Sequence, residues 1–422
     1  MPDIRFSVVI PTRNRHTTLI HALRTCLAQS FDSFEVIVCD NCSSAETRSV
    51  VESLAHPRLV YVRSDKPLAM TDNWELAVSQ AQGEYVTVLG DDDGLLLRTL
   101  EVADRILART NARALRWGLV SYLWPNAAGV PNGLHIPMRK GVVTRCAHSL
   151  IGAVANSREV YDELPMIYNS FVHRDVIDAV RRKVGRVFLG TSPDVSSGLA
   201  FGYLVKEYAA VLGPLAIRGI SAASNGVGTI NLQGKTDSAR DFQTLNDAAG
   251  LRWHAEVPPL PLLASIQADA YCQVRDQLFP GDARWLVDRK GLLMNCLAEI
   301  SRLNSGQESQ ADARMEVMAA WVAQNPPLRR IFERERSALA SRQHPAKDSG
   351  RPSLSKHGLL ALDASAFGIS DVYGAAELCE KLVDYRYDDF AWPCHEPGRP
   401  TTIGGKALGR LLRAARVLVR GK

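Results

Sequence analysis

The sequence lacks the features that would send it out of the cytosol or anchor it across a bilayer. No stretch approaches the roughly 18 uninterrupted apolar residues that span a membrane. The opening "MPDIRFSVVIP" runs into a strand without the charged, apolar and small-residue regions of a secretion signal. A cytoplasmic protein, or one at the cytoplasmic face of a membrane, is the expectation. Cysteine is scarce, eight in 422 residues. Cys39 and Cys42 form a lone C-x-x-C with no second pair at zinc spacing, which leaves two ordinary thiols beside a loop or a redox pair. No G-x-x-x-x-G-K-[ST] occurs, which disfavours a phosphate-loop hydrolase. The charge imbalance is small, 50 basic against 45 acidic residues for a net +5, so the basic excess of a nucleic-acid binder is missing too.

What the chain does have is an alternation of two periodicities. Short apolar runs rich in β-branched residues, "RFSVVIP" (5–11), "FEVIVCD" (34–40), "RLVYVR" (58–63) and "EYVTVLG" (84–90), read as strands. Between them "HTTLIHALRTCLAQ" (16–29), "AETRSVVESLA" (45–55) and "MTDNWELAVSQAQG" (70–83) carry apolar residues at helical spacing. Strands joined through helices predict an α/β fold with a Rossmann-like, mainly parallel sheet flanked by helices. Further on, 114–124 reads as strand, 142–155 as turn then helix, 173–185 as helix, and 187–205 as a strand-like start followed by a helix. Residues 256–345 are mostly helical in pattern, and "SRQHPAKDSGRPSLSKHG" (341–358) resembles a linker.

Parallel sheets bind ligands at the carboxyl ends of their strands. Polar residues collect at those ends here: "PTRNR", "DNCSS", "RSD" and "DDD" in turn. The first and third loops are basic and the fourth is concentrated acid, which suits a phosphorylated ligand bridged to carboxylates by a divalent metal. Adjacent carboxylates repel one another. Hard cations such as magnesium and manganese prefer carboxylate oxygens and use one or two of them alongside substrate phosphates. Asp91, Asp92 and Asp93 are therefore candidate metal ligands. A helix cap at Asp93 is the bland alternative, and it explains one acid rather than three.

"SVVIPTRNR", "FEVIVCDNCSS", "RLVYVRSD" and "NWELAVSQAQGEYVTVLGDDDGLL", in this order and spacing, resemble the family 2 glycosyltransferases of the GT-A fold. The resemblance covers 5–110 strongly and extends more weakly to about 230. It implies an inverting, Mn2+- or Mg2+-dependent transfer of a sugar from a nucleotide-diphosphate sugar to a hydroxyl of a saccharide or lipid-linked acceptor, in surface polysaccharide or glycan synthesis. By the same resemblance Pro11, Thr12, Arg13 and Asn14 line the nucleotide, with Arg13 or Arg15 approaching phosphate. Asp40 is expected at the base or ribose, with Asn41 beside it in a loop that departs from the family pattern. Asp65, Lys66 and Asn73 are further donor-site candidates. For the metal loop two alignments stay open. In one, Gly90 replaces the first acid and Asp92 lies nearest the metal; in the other, Asp91 touches the ribose and Asp93 the metal.

An inverting transfer needs a base beyond the metal loop. Asp194, after Pro193 in "FLGTSPDVSSG", resembles the family's catalytic position, with an N-cap as the bland reading. His148, Asp162 and His173 are the alternatives, and His254 is a candidate additional metal ligand. Trp117 reads as core by strand alternation, and Trp124 stays open between core and sugar stacking. The expected domains are a GT-A-like catalytic domain at 1–235, a helical domain at 236–345, and a linker with a C-terminal extension at 346–422. The extension ends in "GGKALGRLLRAARVLVRGK" (404–422), which contains no acid. Its spacing fits a basic amphipathic helix, lying on an anionic membrane or packed on the domain with a solvated basic face. The rivals are a nucleotidyltransferase, which would carry a glycine-rich loop where "PTRNRHTT" has none, and a catalytically silent nucleotide-sugar-binding or scaffold protein.

Overall fold

Alternation along the first two strands explains why both faces of the sheet are covered. In β1 (Phe6–Thr12), Phe6, Val8 and Ile10 enter one apolar core and Val9 another. In β2 (Phe34–Asp40), Phe34, Val36 and Val38 join the first core, Ile37 and Cys39 the second. Helix α1 (His16–Leu27) connects the two strands and buries Leu19, Leu23 and Cys26 in the first core. Then come α2 (Ala45–Ser53), β3 (Leu59–Arg63), α3 (Met70–Ser79) and β4 (Tyr85–Val88), the predicted order with ends moved by a few residues. β1 pairs in parallel with β2 and β4, and β2 with β3. Their register sets Thr12 opposite Asp40 and Asp40 opposite Arg63, so the carboxyl ends line up along one edge.

The structure, a computed structural model, describes residues 4–127, 131–155, 158–224, 237–282, 284–302, 308–339, 353–354 and 358–385. The basic segment 404–422 and nearly all of the expected linker lie outside these residues, so neither expectation is addressed by it.

Past β4 the sheet becomes mixed. β5 (Gly94–Leu95), α4 (Thr99–Thr110), β6 (Ala114–Leu123), β7 (Gly133–Pro137), β8 (Val142–Cys146) and α5 (Ala147–Ala155) lead to β9 (Ser170–His173), which lies antiparallel between β4 and β6. After α6 (Arg174–Val184) and α7 (Pro193–Val205) comes β10 (Glu207–Ile220), 14 residues long. It runs parallel to β6 while pairing antiparallel first with β8 and then with β5. Its register on β6 shifts around Pro214, where the bulge tolerates a residue without an N–H. The strand-like start expected at 187 is not a strand, and β8 occupies what reads as a turn at 142–146.

The C-terminal half builds on the cores already present. Helices α8 (Asp237–Ala248), α9 (Leu263–Leu278), α10 (Arg289–Ser301), α11 (Glu308–Ala323) and α12 (Arg329–Leu339) follow β10. Tyr271 and Val274 of α9, Cys296 of α10 and Trp321 of α11 share the second core with Val9 and Ile37 of the sheet. β11 (Ser353–Leu354) and β12 (Leu359–Asp363) extend the sheet, β12 antiparallel to β7. α13 (Val372–Leu382) packs on α1 and buries Val372, Ala375 and Leu378 in the first core. Among the described residues no helix is long and apolar enough to cross a membrane.

Because Leu378 is 1% exposed between α13 and the sheet, Leu378→Ala should cost about 2–5 kcal/mol through the cavity it leaves. Urea denaturation should show the midpoint falling accordingly, and an unchanged midpoint would mean that α13 is not part of the core.

Candidate active site

Hydrogen bonds lock the strand-end loops to one another. Asn14 takes a positive φ of 55°, which asparagine tolerates. Its N–H donates to Ser43 Oγ at 2.8 Å, and its Oδ1 accepts the Ser44 N–H at 2.9 Å. Asn41 clamps the third loop, donating from Nδ2 to the Leu68 carbonyl at 2.9 Å and accepting the Leu68 N–H on Oδ1 at 2.8 Å. Arg13 donates from Nη1 to the Asn41 carbonyl at 2.8 Å and from Nε to Asp241 Oδ2 of α8 at 2.6 Å. Thr12 Oγ1 donates to Asp91 Oδ2 at 2.7 Å and Arg15 Nη1 to Asp91 Oδ1 at 3.1 Å. Arg15 also donates to the Ala223 carbonyl.

Asp91, Asp92 and Asp93 are only 4%, 6% and 2% exposed. Asp92 Oδ2 accepts from Ser221 at 2.7 Å and from Ser224, while its backbone carbonyl accepts from Trp124 Nε1 at 2.9 Å. No described residue donates to Asp92 Oδ1, the one side-chain oxygen of the triplet left open. Asp93 folds back on its own loop: Oδ2 accepts the Gly90 N–H at 2.9 Å and Oδ1 the Gly219 N–H at 2.7 Å. Two glycines make this possible. A Cβ at Gly90 would sit 2.4 Å from Asp93 Oδ2, and one at Gly219 would sit 1.7 Å from the Asp92 carbonyl oxygen. The space of an acid at position 90 is thus taken by the Asp93 carboxylate.

Burial and the neighbouring Asp92 push Asp93 up to about 8, against the pull of the Gly219 N–H and the Tyr168 hydroxyl. Burial raises Asp91 as well, opposed by Arg15 and reinforced by Asp92. Negative charge is therefore crowded here beyond what Arg15 compensates. An oxygen-only donor set with that excess fits a hard divalent cation.

Asp194 lies in the first turn of α7, within the same cleft of about 910 Å³ as the triplet. Ser192 holds the N-cap position, so Asp194 is neither the cap nor a strand end. Burial raises its carboxyl above the ordinary aspartate range, partly offset by the N–H groups of Val195 and of Asp194 itself. A raised carboxylate is a stronger base than an exposed one.

Most of the expected residues meet in this cleft: Pro11, Thr12, Arg13, Asn14, Arg15, Asn41, Asn73, the triplet and Asp194 line it. Two do not. Asp40 is fully buried behind the loops and braces strand ends, accepting from Tyr61 at 2.5 Å, Arg63 at 2.6 Å and the Ser43 N–H at 2.8 Å. Asp65 is exposed outside the cleft, as is Lys66. Asn73 Oδ1 accepts from the Cys39 thiol at 3.4 Å, and Cys39 and Cys42 are both free thiols. Asp162 lines the cleft, whereas His148, His173 and His254 do not. His254 bonds Asp276 at 2.9 Å near Glu256 and Cys272, and Glu256 is already paired with Arg275 and Arg289. Trp117 is core, and Trp124 serves as the indole donor to Asp92.

Sequence reasoning missed Tyr161, Tyr168 and Arg218, and the α8 residues Asp241 and Phe242, all of which line the cleft. Arg218 was findable, because "EYAAVLGPLAIRGI" is an apolar run with one late cation, but its Gly-Pro reads as a break.

Residues 7–109 match Glycosyl transferase family 2. This stretch is a family 2 glycosyltransferase domain. The family 2 domain runs from β1 into α4 and includes Thr12, Arg15 and the triplet, while Asp194 and Arg218 lie beyond it. The putative colanic acid biosynthesis glycosyl transferase WcaA of Escherichia coli K12 is 34% identical over 89 residues, 21% of this chain and 32% of that protein. The GalNAc(5)-diNAcBac-PP-undecaprenol beta-1,3-glucosyltransferase of Campylobacter jejuni is 38% identical over 95 residues, 22% of this chain and 31% of that protein. The chain therefore spans about a third of the length of these relatives. Among solved structures, Staphylococcus aureus TarS 1–349 with UDP-GlcNAc superimposes with TM-score 0.43 and 15% identity, covering 84% of this chain and 95% of that one. The mannosyltransferase PcManGT from Pyrobaculum calidifontis in complex with GDP-Man and Mn2+ gives 0.40 and 15%, covering 76% and 88%.

Asp93 sets a pH signature. Its carboxyl titrates near 8 in the fold against 3.8 ordinarily. The folded state therefore holds the proton more tightly, and the stability this contributes is complete below the ordinary value and is lost as pH rises through about 8. Without metal, the melting temperature should fall more steeply between pH 5 and 8 in the wild type than in Asp93→Asn. Parallel curves for the two proteins would show that Asp93 does not titrate there.

Proposed function

We propose that this protein is an inverting, divalent-metal-dependent glycosyltransferase that moves a sugar from a nucleotide-diphosphate sugar to a hydroxyl of a saccharide or lipid-linked acceptor. The observation that carries this reading is the buried triplet Asp91–Asp93, placed beside the loop Pro11–Arg15 in a cleft that also takes in Asp194. The sequence relatives support the class of reaction, since they are named as transferases of glucose and, for the Staphylococcus aureus TarS of 28% identity over 141 residues, of N-acetylglucosamine.

Asp92 is the ligand we assign to the metal, because its Oδ1 is the open carboxylate oxygen. Mn2+ or Mg2+ bound there would neutralise negative charge on the departing diphosphate. Asp91 is held by Thr12 and Arg15 on the nucleotide side, where it can accept from a ribose hydroxyl. Asn41 holds the third loop in place beside the base through both its amide atoms, Asn73 lines the cleft next to it, and Arg13 is the phosphate-side cation of the first loop. Asp194 takes the proton of the acceptor hydroxyl as its oxygen bonds to the anomeric carbon and the bond from that carbon to the diphosphate breaks. Attack from the face opposite the leaving group inverts the configuration. The raised carboxyl of Asp194 supports the base role.

A thermal-shift screen of nucleoside diphosphates, with and without Mn2+, tests the donor assignment. A metal-dependent rise is expected for at least one of them, and Asp92→Asn should remove most of it. Asp194→Asn should keep that rise and lose sugar transfer by about a thousandfold or more. Transfer by Asp194→Asn at the wild-type rate would overturn the base, and the lack of any metal-dependent nucleotide effect would overturn the donor.

A further inference from the structure

Three arginines line the cleft, and two of them already face carboxylates. Arg13 is paired with Asp241 and Arg15 with Asp91. Arg218 is different. Its Nη2 donates to the Ser121 hydroxyl at 3.0 Å, and no carboxylate pairs with it among the described residues. Its side chain is nevertheless exposed to the cleft. A guanidinium has five N–H donors in a planar fork, so most of its capacity is unused.

Its location says which substrate it serves. The loops after β1, β2 and β3 lie on one side of the triplet. β10 lies on the other, reached across β4, β9 and β6. Gly219 turns toward the triplet, giving its N–H to Asp93 and closing on the Asp92 carbonyl. Strand alternation then sends Arg218 to the opposite face of β10, with its register partner Ser121. There its charge offsets the burial of the Tyr161 and Tyr168 phenols, and Asp194 and Asp162 act on Tyr161 in the opposite sense. Arg218, Tyr161, Tyr168 and Asp194 thus line one cleft, with Arg218 on the strand that closes it opposite the loops after β1 and β2.

We infer that Arg218 receives an anionic group of the acceptor, a phosphate or a carboxylate near the hydroxyl that attacks. The inference rests on the glycosyltransferase reading given above and adds the charge of the acceptor to it. A forked guanidinium pairs two-to-two with either anion, and the partly enclosed cleft strengthens the pair relative to open water. Such a contact orients the acceptor over Asp194. It also explains why a cation stands at this point with no carboxylate partner among the described residues. A neutral saccharide hydroxyl would leave the guanidinium with little to bind.

Calorimetry on the full-length protein saturated with UDP and Mn2+ tests this, with glycerol 3-phosphate, glycerate and glycerol as probes. The wild type should bind one or both anions at least about tenfold more tightly than glycerol, and which anion wins names the group. Arg218→Gln should abolish that preference while UDP affinity stays within about twofold, and Arg218→Lys should retain part of it. The position is exposed, so both variants should melt with the wild type. Equal anion binding by Arg218→Gln overturns the proposal, as does a wild type that does not distinguish the anions from glycerol. Displacement of UDP by the anions overturns it as well, by assigning Arg218 to the donor diphosphate. If UDP does not bind, the nucleoside diphosphate that raises the melting temperature with Mn2+ takes its place; if none does, the donor reading itself falls and takes this one with it.

Discussion

The bond from the Gly219 amide to the Asp93 carboxylate joins parts of the chain 126 residues apart and determines what both can do. On one side it holds the end of the Asp91–Asp93 loop in a closed turn, with the other Asp93 oxygen on the Gly90 amide. On the other it pins the end of β10, so that Ser221 and Ser224 reach Asp92 and Ala223 reaches Arg15. The β10 side of the cleft is thereby assembled around the Asp91–Asp93 loop rather than beside it. Position 219 can only be glycine, because no side chain fits against the Asp92 carbonyl.

Two sets of buried acids in this protein show what decides whether a carboxylate is structural or reactive. Asp40 is as inaccessible as the triplet, yet a guanidinium, a phenol and an amide satisfy it, and it serves as a brace. The triplet places three carboxylates in adjacent positions with Arg15 as its ion-pair partner. Burying charge is tolerable only when partners compensate it. Where the chain itself supplies too few, as at the triplet, a cation is the partner that the proposed function adds.

The first 110 residues were readable because each strand is apolar on both faces and each intervening helix shows its own period. The succession of elements from β1 to β4 and the loops at the carboxyl edge follow from that pattern, while the spatial order β3-β2-β1-β4 comes from the structure. Within that edge, local spacing could not separate an acid that faces the ligand from one that faces inward. Asp40 turned inward because Arg63 lies opposite it in the register, a pairing between strands that no single loop reveals. Beyond residue 110 legibility fell for a different reason. β10 hides behind a Gly-Pro bulge, β9 is four residues long, and α8 brings Asp241 to Arg13 from more than two hundred residues away. Asp194 could be singled out in sequence, but its place in a helix turn rather than at a strand end could not.

The return of the chain to its own beginning carries a consequence for biosynthesis. β12 at 359–363 is the strand that covers the outer edge of β7 at 133–137, and α13 covers α1. The parallel quartet and its helices can form from local crossovers while the ribosome is still working through the helical half. The flank of β7 facing away from β6, however, has no backbone partner until residue 363 has emerged, and the entropy of closing so long a loop delays its pairing further. An open strand edge of this kind recruits other strands. During that interval the half-finished sheet presents this edge to whatever strand lies nearest, and residues 359–363 are what closes it.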